Sequence, residues 1–242
     1  MHMSAASPIF ENRYDAGRKL AEKLADYANQ SVAVLAIPNG GVAVALGVAL
    51  ALGADLDLVI SRKIPLPLSP EGGFGSVTDD GTIILDEALV KKAGLNQQQI
   101  NYQVNQVRAG IRQRSLLHRH QDRPPVVISG RTVIIVDDGL ASGYTMKAAI
   151  ASVRHRQAKR IIAAVPVGPE HVVKEIEKVA DKVVTCAVGS MPEFYVSDFY
   201  RHWHDISDEE VLHCLKEWRL RRYSPRIELP GNKPKPGYEF SR

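Results

Sequence analysis

Residues 133–145 read VIIVDDGLASGYT. Four apolar residues run into two adjacent carboxylates, Asp137 and Asp138, which give way to small and hydroxylated residues before a fresh amphipathic segment begins at Thr145. A short apolar run with polar residues at its end and a helix-period segment behind it marks a buried parallel strand handing over to a helix. Runs of the same kind flank it: SVAVLAI (31–37) and DLDLVI (55–60) before it, RIIAAVP (160–166) and KVVTCAV (182–188) after it. Helix-period segments at 42–52, 145–156 and 170–180 separate them. Strand, helix, strand at this spacing predicts an α/β fold, an open parallel sheet with flanking helices and right-handed crossovers.

Other segments fill out the organisation. Residues 13–29 carry apolar residues near helical spacing, with Asn12 as a cap. The stretch IPLPLSPEGGFGSVTDDGT (64–82) breaks the rhythm with three prolines and four glycines, and reads as a long loop that is functional or mobile. Within it, Asp79-Asp80-Gly81 between GSVT and TIIL predicts a tight hairpin turn. Residues 96–120 form the longest helical candidate, with a seam of Ile100, Val104, Val107 and Ile111 that suits either the core or a second copy. Its other faces carry Arg108, Arg112, Arg114 and Arg119, most simply a solvated face. A capping box, Ser207 with Glu210, starts the last helix. The expected organisation is one domain over 8–222, with a flexible loop and hairpin at 64–85, a long helix at 96–120 and a small C-terminal hood with the last helix at 189–218. An extended basic, proline-rich tail follows at 223–242.

The totals of 242 residues, 45% hydrophobic and 24% charged, suit one large domain. No apolar run approaches the roughly 20 residues of a membrane span, and the N-terminus lacks a signal-peptide pattern, so a cytoplasmic location and no membrane partner are expected. Cys186 and Cys214 have no partner at metal or redox spacing and read as buried thiols. His118, His120, His202 and His204 lack zinc-site spacing. Of the net charge of +4, residues 216–242 carry +5, so the remainder is slightly acidic and nucleic-acid binding by the folded body is not expected.

The junction itself narrows the chemistry. In open parallel sheets, ligands bind beyond the carboxyl ends of strands, where the amides opening the next helix favour an anion. Gly139, Ala141, Ser142 and Gly143 let the backbone close around a phosphate, and Ser142 and Thr145 add hydroxyl donors. Two carboxylates beside a phosphate cradle would repel the same ligand, unless they face another part of it. A sugar phosphate meets both demands, with vicinal hydroxyls donating to Asp137 and Asp138. Mg²⁺ bridging the sugar and a further phosphate would relieve the local negative charge, held mostly through ligand and water oxygens.

On these residues the chain resembles the type I phosphoribosyltransferases. VIIVDDGLASGYT is similar to their motif for phosphoribosyl pyrophosphate, and IPNGGVAVA, SRKI, VDDGLASGYTM and FYVSDFY...ISDEEV are similar to a group of predicted bacterial and archaeal members of unassigned base. A receiver-type or nucleotide-binding α/β domain is the alternative. The resemblance, over residues 10–218, implies that Asp137 and Asp138 hold the ribose and its Mg²⁺. It implies that Gly139, Leu140, Ala141, Ser142, Gly143, Tyr144 and Thr145 wrap the terminal phosphate. Pro38, Asn39, Gly40 and Gly41, with Arg62 and Lys63 after the second strand, would meet pyrophosphate, making Arg62, Lys63, Asp137 and Asp138 the catalytic set. The 64–82 segment, with Ser69, Glu71 and Ser76 as its polar candidates, would close over the reacting centre.

The implied activity transfers a phosphoribosyl group to a nitrogenous base or similar acceptor, releasing pyrophosphate, with Phe194 and Tyr195 stacking on the acceptor. The alternative for Phe194, Phe199, Tyr200 and Trp203 is core closure beneath the last helix. A homodimer is expected, as in many resembling proteins. Three departures stand out. Ala141 occupies the position where 6-oxopurine transferases carry an acid, no Lys or Arg lies between Ile64 and Val90, and Tyr144 is bulky where the motif is often small. The cation-free loop and basic tail leave a second reading open, a non-catalytic sensor of phosphoribosyl pyrophosphate or nucleotide that could meet nucleic acid through its tail. A third is an enzyme of sugar phosphates independent of phosphoribosyl pyrophosphate.

Overall fold

The computed structural model describes residues 8–67, 69–118, 124–191 and 193–223, the side chains of Pro70 and Glu71 excepted. Tyr223 ends the last helix, and the rest of the tail expected at 223–242, with Arg119, His120 and the Glu71 side chain, lies outside the described residues. Five parallel strands form the central sheet: β1 (Val32–Ala36), β2 (Asp55–Leu58), β6 (Thr132–Val136), β7 (Arg160–Pro169) and β8 (Lys182–Gly189). Their order is β2-β1-β6-β7-β8. The helices are α1 (Arg13–Lys23), α2 (Gly40–Leu52), α3 (Glu87–Lys92), α4 (Gln97–His118), α5 (Tyr144–His155), α6 (Glu170–Glu177) and α7 (Asp208–Tyr223).

The period of two along each strand divides the core. Val32, Val34, Ala36, Ile134, Val136, Ile162 and Ala164 point to one face and join residues of α1, α2 and α7. Ala33, Leu35, Val133, Ile135, Ile161 and Ala163 point to the other, against Met146, Ala149, Ile150 and Val153 of α5 and Val172 and Ile176 of α6. A strand buried on both faces must be apolar throughout, which is why VIIV is an unbroken run. Asn12 caps α1 by accepting the Asp15 amide at 3.0 Å. The capping box of α7 closes in both directions, Glu210 N donating to Ser207 Oγ at 3.2 Å and Ser207 N to Glu210 Oε2 at 2.9 Å.

Residues 64–82 were expected as a loop containing a hairpin, and the structure gives the hairpin a third strand. Residues 61–85 form an antiparallel sheet of β3 (Ser61–Leu66), β4 (Ser69–Thr78) and β5 (Ile83–Leu85). Arg62 and Lys63 lie in β3 itself, where the sequence placed them after a strand. The glycines that suggested a loop serve close strand approach: a Cβ on Gly75 would sit 2.3 Å from the Ile84 carbonyl oxygen. Pro65 lies at a register shift between β3 and β4, where a missing amide costs little. Ile64, Phe74 and Val77 are buried in one cluster with Ile100, Val104 and Ile111 of α4. The α4 seam is thus occupied by the chain's own core, which settles its use against a second copy. Ser76 is buried within β4 rather than on a mobile loop, and its hydroxyl has no partner among the described residues.

The expected turn is present, with Thr78 N donating to the Thr82 carbonyl at 2.9 Å and Gly81 at φ +89°. Cys186 is half-buried and Cys214 buried, both as free thiols, and burial pushes each thiol up. Among the described residues no helix is long and apolar enough to cross a membrane.

Candidate active site

The chain leaves β1 towards β2 on one side and β6 towards β7 and β8 on the other. Adjacent strands with diverging crossovers leave a crevice at their carboxyl ends, the place where open α/β sheets bind ligands. Ala36 is paired with Val136, so Pro38-Asn39-Gly40-Gly41 and Asp137-Asp138 emerge side by side. Their approach is close enough to require glycine: a Cβ on Gly40 would lie 1.9 Å from Asp138 Oδ2, and one on Gly41 2.9 Å from Asp137 Cα. The Asp138 carboxylate therefore rests at the opening of α2, where the helix dipole favours negative charge.

The two acids are held differently. Asp138 Oδ2 accepts from Arg13 Nε at 2.8 Å, with the arginine side chain 6% and the carboxylate 17% exposed. Arg13 also donates from Nη1 to the His204 carbonyl at 2.8 Å, and its guanidinium lies 3.8 Å from the Trp203 ring centroid. Tyr200 Oη donates to the Asp138 carbonyl oxygen at 2.6 Å, and burial drives this phenol far above its ordinary range. Asp137 Oδ1 accepts the Asp138 amide at 2.8 Å. Burial first, and then the neighbouring Asp138 charge, hold the Asp137 carboxyl well above the usual carboxylate range. The pair thus favours one proton or one added cation.

Beyond the acids, Leu140 is buried and its amide is taken by the Val167 carbonyl at 2.8 Å, which fixes the loop's middle. Gly139 lies against Val196, while Ala141 and Ser142 are exposed. Gly143, at φ +78°, is the N-cap of α5 and supplies no side-chain cap. The first-turn amides of Tyr144, Thr145 and Met146 accordingly have no intrahelical acceptor and are available to an anion. Bulky Tyr144 is directed to Asp86, the N-cap of α3, and burial with that hydrogen bond pushes its phenol up to about 12. Ser61 Oγ donates to the Thr145 carbonyl at 3.0 Å, tying β3 to the start of α5.

On the other flank, Asn39 follows a cis Pro38–Asn39 bond and is pinned through Nδ2, which donates to the Ile206 carbonyl at 2.8 Å and to Asp208 Oδ1 at 3.1 Å. Asp208 Oδ1 also lies 3.0 Å from Nε2 of His118, whose side chain is fully buried. Arg62 Nη2 reaches Asn39 Oδ1 at 3.4 Å, joining one of the basic pair to the glycine loop. Lys63, its neighbour in β3, is exposed. The hood residues separate. Phe194 is half-buried against Gly189 and stacks on Phe199 at 5.0 Å, whereas Tyr195 is 59% exposed. Phe199 and Tyr200 close the core, and Trp203 stays partly open to solvent.

Arg13, Tyr200, His118 and Asp208 were not among the expected site residues. Arg13 is 125 positions from Asp138, and nothing local in an amphipathic helix announces such a partner. Asp208 lies inside the ISDEEV stretch, which is the one signal that pointed to it.

Comparison with known proteins shows the family. Residues 7–197 match the family model described as "Phosphoribosyl transferase domain". The chain is 37% identical over 208 residues to the Mycobacterium tuberculosis H37Rv protein named "Putative phosphoribosyl transferase Rv0571c", an alignment that takes in 86% of this chain and 46% of that protein. It therefore spans about half the length of the curated relatives it matches. The crystal structure of TT1426 from Thermus thermophilus superposes with a TM-score of 0.72 at 34% identity, covering 86% of this chain and 98% of that one. The chain belongs to the phosphoribosyl transferase domain family.

Proposed function

We propose that the chain is a Mg²⁺-dependent phosphoribosyltransferase, which moves the phosphoribosyl group of phosphoribosyl pyrophosphate to a nitrogenous, base-like acceptor and releases pyrophosphate. The observation that carries the reading is the meeting of Asp137 and Asp138 with the Gly40-Gly41 turn, flanked by the amides opening α5 on one side and by Arg62 and Asn39 on the other. A ligand spanning that arrangement carries a diol in the middle and a phosphoryl group at each end. In this reading Asp137 and Asp138 accept from the ribose hydroxyls, residues 139–145 enclose the terminal phosphate, and Pro38 to Gly41 with Arg62 and Lys63 face the pyrophosphate.

The reaction breaks the bond between the anomeric carbon and a pyrophosphate oxygen. A bond from the acceptor nitrogen replaces it, and the nitrogen's proton passes to solvent or a neighbouring base. Positive charge builds on the sugar, as in glycosyl transfer generally. Amides and cations fixed around the departing pyrophosphate stabilise its charge without having to reorganise. The two carboxylates have no third His, Cys, Asp or Glu beside them among the described residues. That donor set suits a Mg²⁺ held largely by ligand and water oxygens, and the ion when bound would neutralise pyrophosphate charge. Ala141, exposed and uncharged, offers a 6-oxopurine no acid, which favours another acceptor class. Tyr195 presents the open aromatic face for it, and Phe194 backs it from the core side.

The test is incubation of pure protein with Mg²⁺, labelled phosphoribosyl pyrophosphate and a panel of bases. Pyrophosphate release with at least one base is expected; binding of the sugar pyrophosphate without release in any mixture would overturn the catalytic reading. A second reading has its own observation. The segment expected to cover the centre is folded, with Ile64, Phe74 and Val77 buried, and this favours a non-catalytic sensor of the same ligand.

A further inference from the structure

A groove of about 740 Å³ runs between β3 and α4, and its lining residues Arg62 and Asp208 both reach Asn39 of the glycine turn. Arg62 and Lys63 line one wall, Arg114 of α4 lines the other, and Asp208 stands where the groove meets Asn39. Its size is within the usual range for small-molecule sites. Three cations thus face one carboxylate among the described lining residues, and that carboxylate is already engaged by His118 and Asn39. Arg114 and His118 are four positions apart and share a face of α4, and Arg114 lines the groove together with Asp208, the partner of His118 and Asn39. Burial first, and more weakly the Arg114 charge, hold His118 below the ordinary imidazole range against the pull of Asp208. The Arg114 charge therefore reaches the imidazole beside the glycine turn. Arg112, two residues earlier, is exposed on a different face beside Asp79 and Asp80.

We propose that Arg114 is the third cation of the pyrophosphate site, donated by α4 across the groove to the end of the pyrophosphate remote from the sugar. This rests on the phosphoribosyl pyrophosphate reading of the site and extends it. It accounts for a deficit in the sequence, since no Lys or Arg lies between Ile64 and Val90 to meet the leaving group. With the hairpin folded into a sheet, a long helix packed on that sheet is the element able to offer a charge over the groove. A guanidinium is apt there because it donates two parallel hydrogen bonds to phosphate oxygens.

The test is calorimetric titration of inorganic pyrophosphate, in Mg²⁺ buffer, into the full chain and into Arg114→Ala, Arg114→Lys and Arg112→Ala. Arg114→Ala is expected to bind roughly 10- to 100-fold more weakly, the loss of a charge-assisted contact. Arg114→Lys should recover part of the loss, and Arg112→Ala, which removes the same charge from another face, should bind as the parent does. Unchanged binding by Arg114→Ala overturns the assignment. So does an equal loss in Arg112→Ala, which would reduce the effect to net charge. Failure of the parent chain to take up pyrophosphate refutes the underlying reading of the site, and this inference with it.

Discussion

Replacing Arg13 with Met tests how the acid pair is held. Methionine keeps an apolar stem beneath Trp203 but removes the Nε contact to Asp138 and the Nη1 contact to the His204 carbonyl. Stripping one partner from a buried pair costs about 3–5 kcal/mol, because the other charge stays behind uncompensated. Asp138 is 17% exposed and rests at the opening of α2, so the lower end applies. Loss of the cation over the indole adds about 0.5–1 kcal/mol. At about 2–4 °C per kcal/mol for a domain of this size, the melting temperature should fall by about 7–16 °C. Differential scanning calorimetry on Arg13→Met, Asp138→Asn and the double variant checks the cause as well as the size. With no charge left to strand, the double variant should melt above the value expected from adding the two single losses. A single variant within about 2 °C of the parent, or strict additivity, would refute the view that Arg13 works as the buried counter-ion of Asp138.

Two further outcomes follow from the titrating groups. Asp137 is held above its ordinary range by burial and by Asp138, so its stabilising contribution is complete below about pH 4 and is lost as pH rises through its folded value. Asp137→Asn should therefore gain in melting temperature relative to the parent as pH rises, while losing the stabilisation by phosphoribosyl pyrophosphate and Mg²⁺; a pH-independent difference would contradict this. At Asp80, partial burial works to raise the carboxyl, but hydrogen bonds from Ser152, Thr78 and Thr82 outweigh it and bring it to about 2. Its contribution is present above its ordinary value of 3.8 and lost as pH falls through about 2, so the deficit of Asp80→Asn in thermal melts should shrink over that window.

How far the sequence reveals this molecule depends on the range of the contacts involved. Strands buried on both faces advertise themselves as apolar runs, so VAVLA and TVIIV were legible, and with them the switch point and the loops it holds. The capping residues Asn12 and Ser207 act within four positions and were equally legible. Of the second sheet only the hairpin joining β4 and β5 was legible, and the pairing of β3 with β4 was not. Gly75 and Pro65 carry loop statistics, and only the approach of Ile84 and the register shift beside Pro65 reveal their strand roles. Arg13 was hidden because its partner is distant in sequence, and Arg114 because a basic helix face has the same pattern whether it meets water or a groove. Phe194 and Tyr195 looked alike side by side, yet one is packed on Phe199 and the other is exposed.

The folded hairpin changes how water could be kept from an activated sugar. Three of its contacts lead to α5, from Ser61 to the Thr145 carbonyl, from Asp80 to Ser152 and from Thr82 to His155 at 3.2 Å, while Arg108 of α4 donates to the Gly81 carbonyl at 3.1 Å. An element tied at three points to α5, the helix whose first turn faces the proposed phosphate site, is held with that helix and not hinged over it. On the proposed reading such a unit is a rigid bracket for Arg62 and Lys63, and charges already in place cost no reorganisation during reaction. Loosening these anchors, as in Ser152→Ala, should then weaken pyrophosphate binding measured by calorimetry, and an unchanged affinity would refute the bracket role.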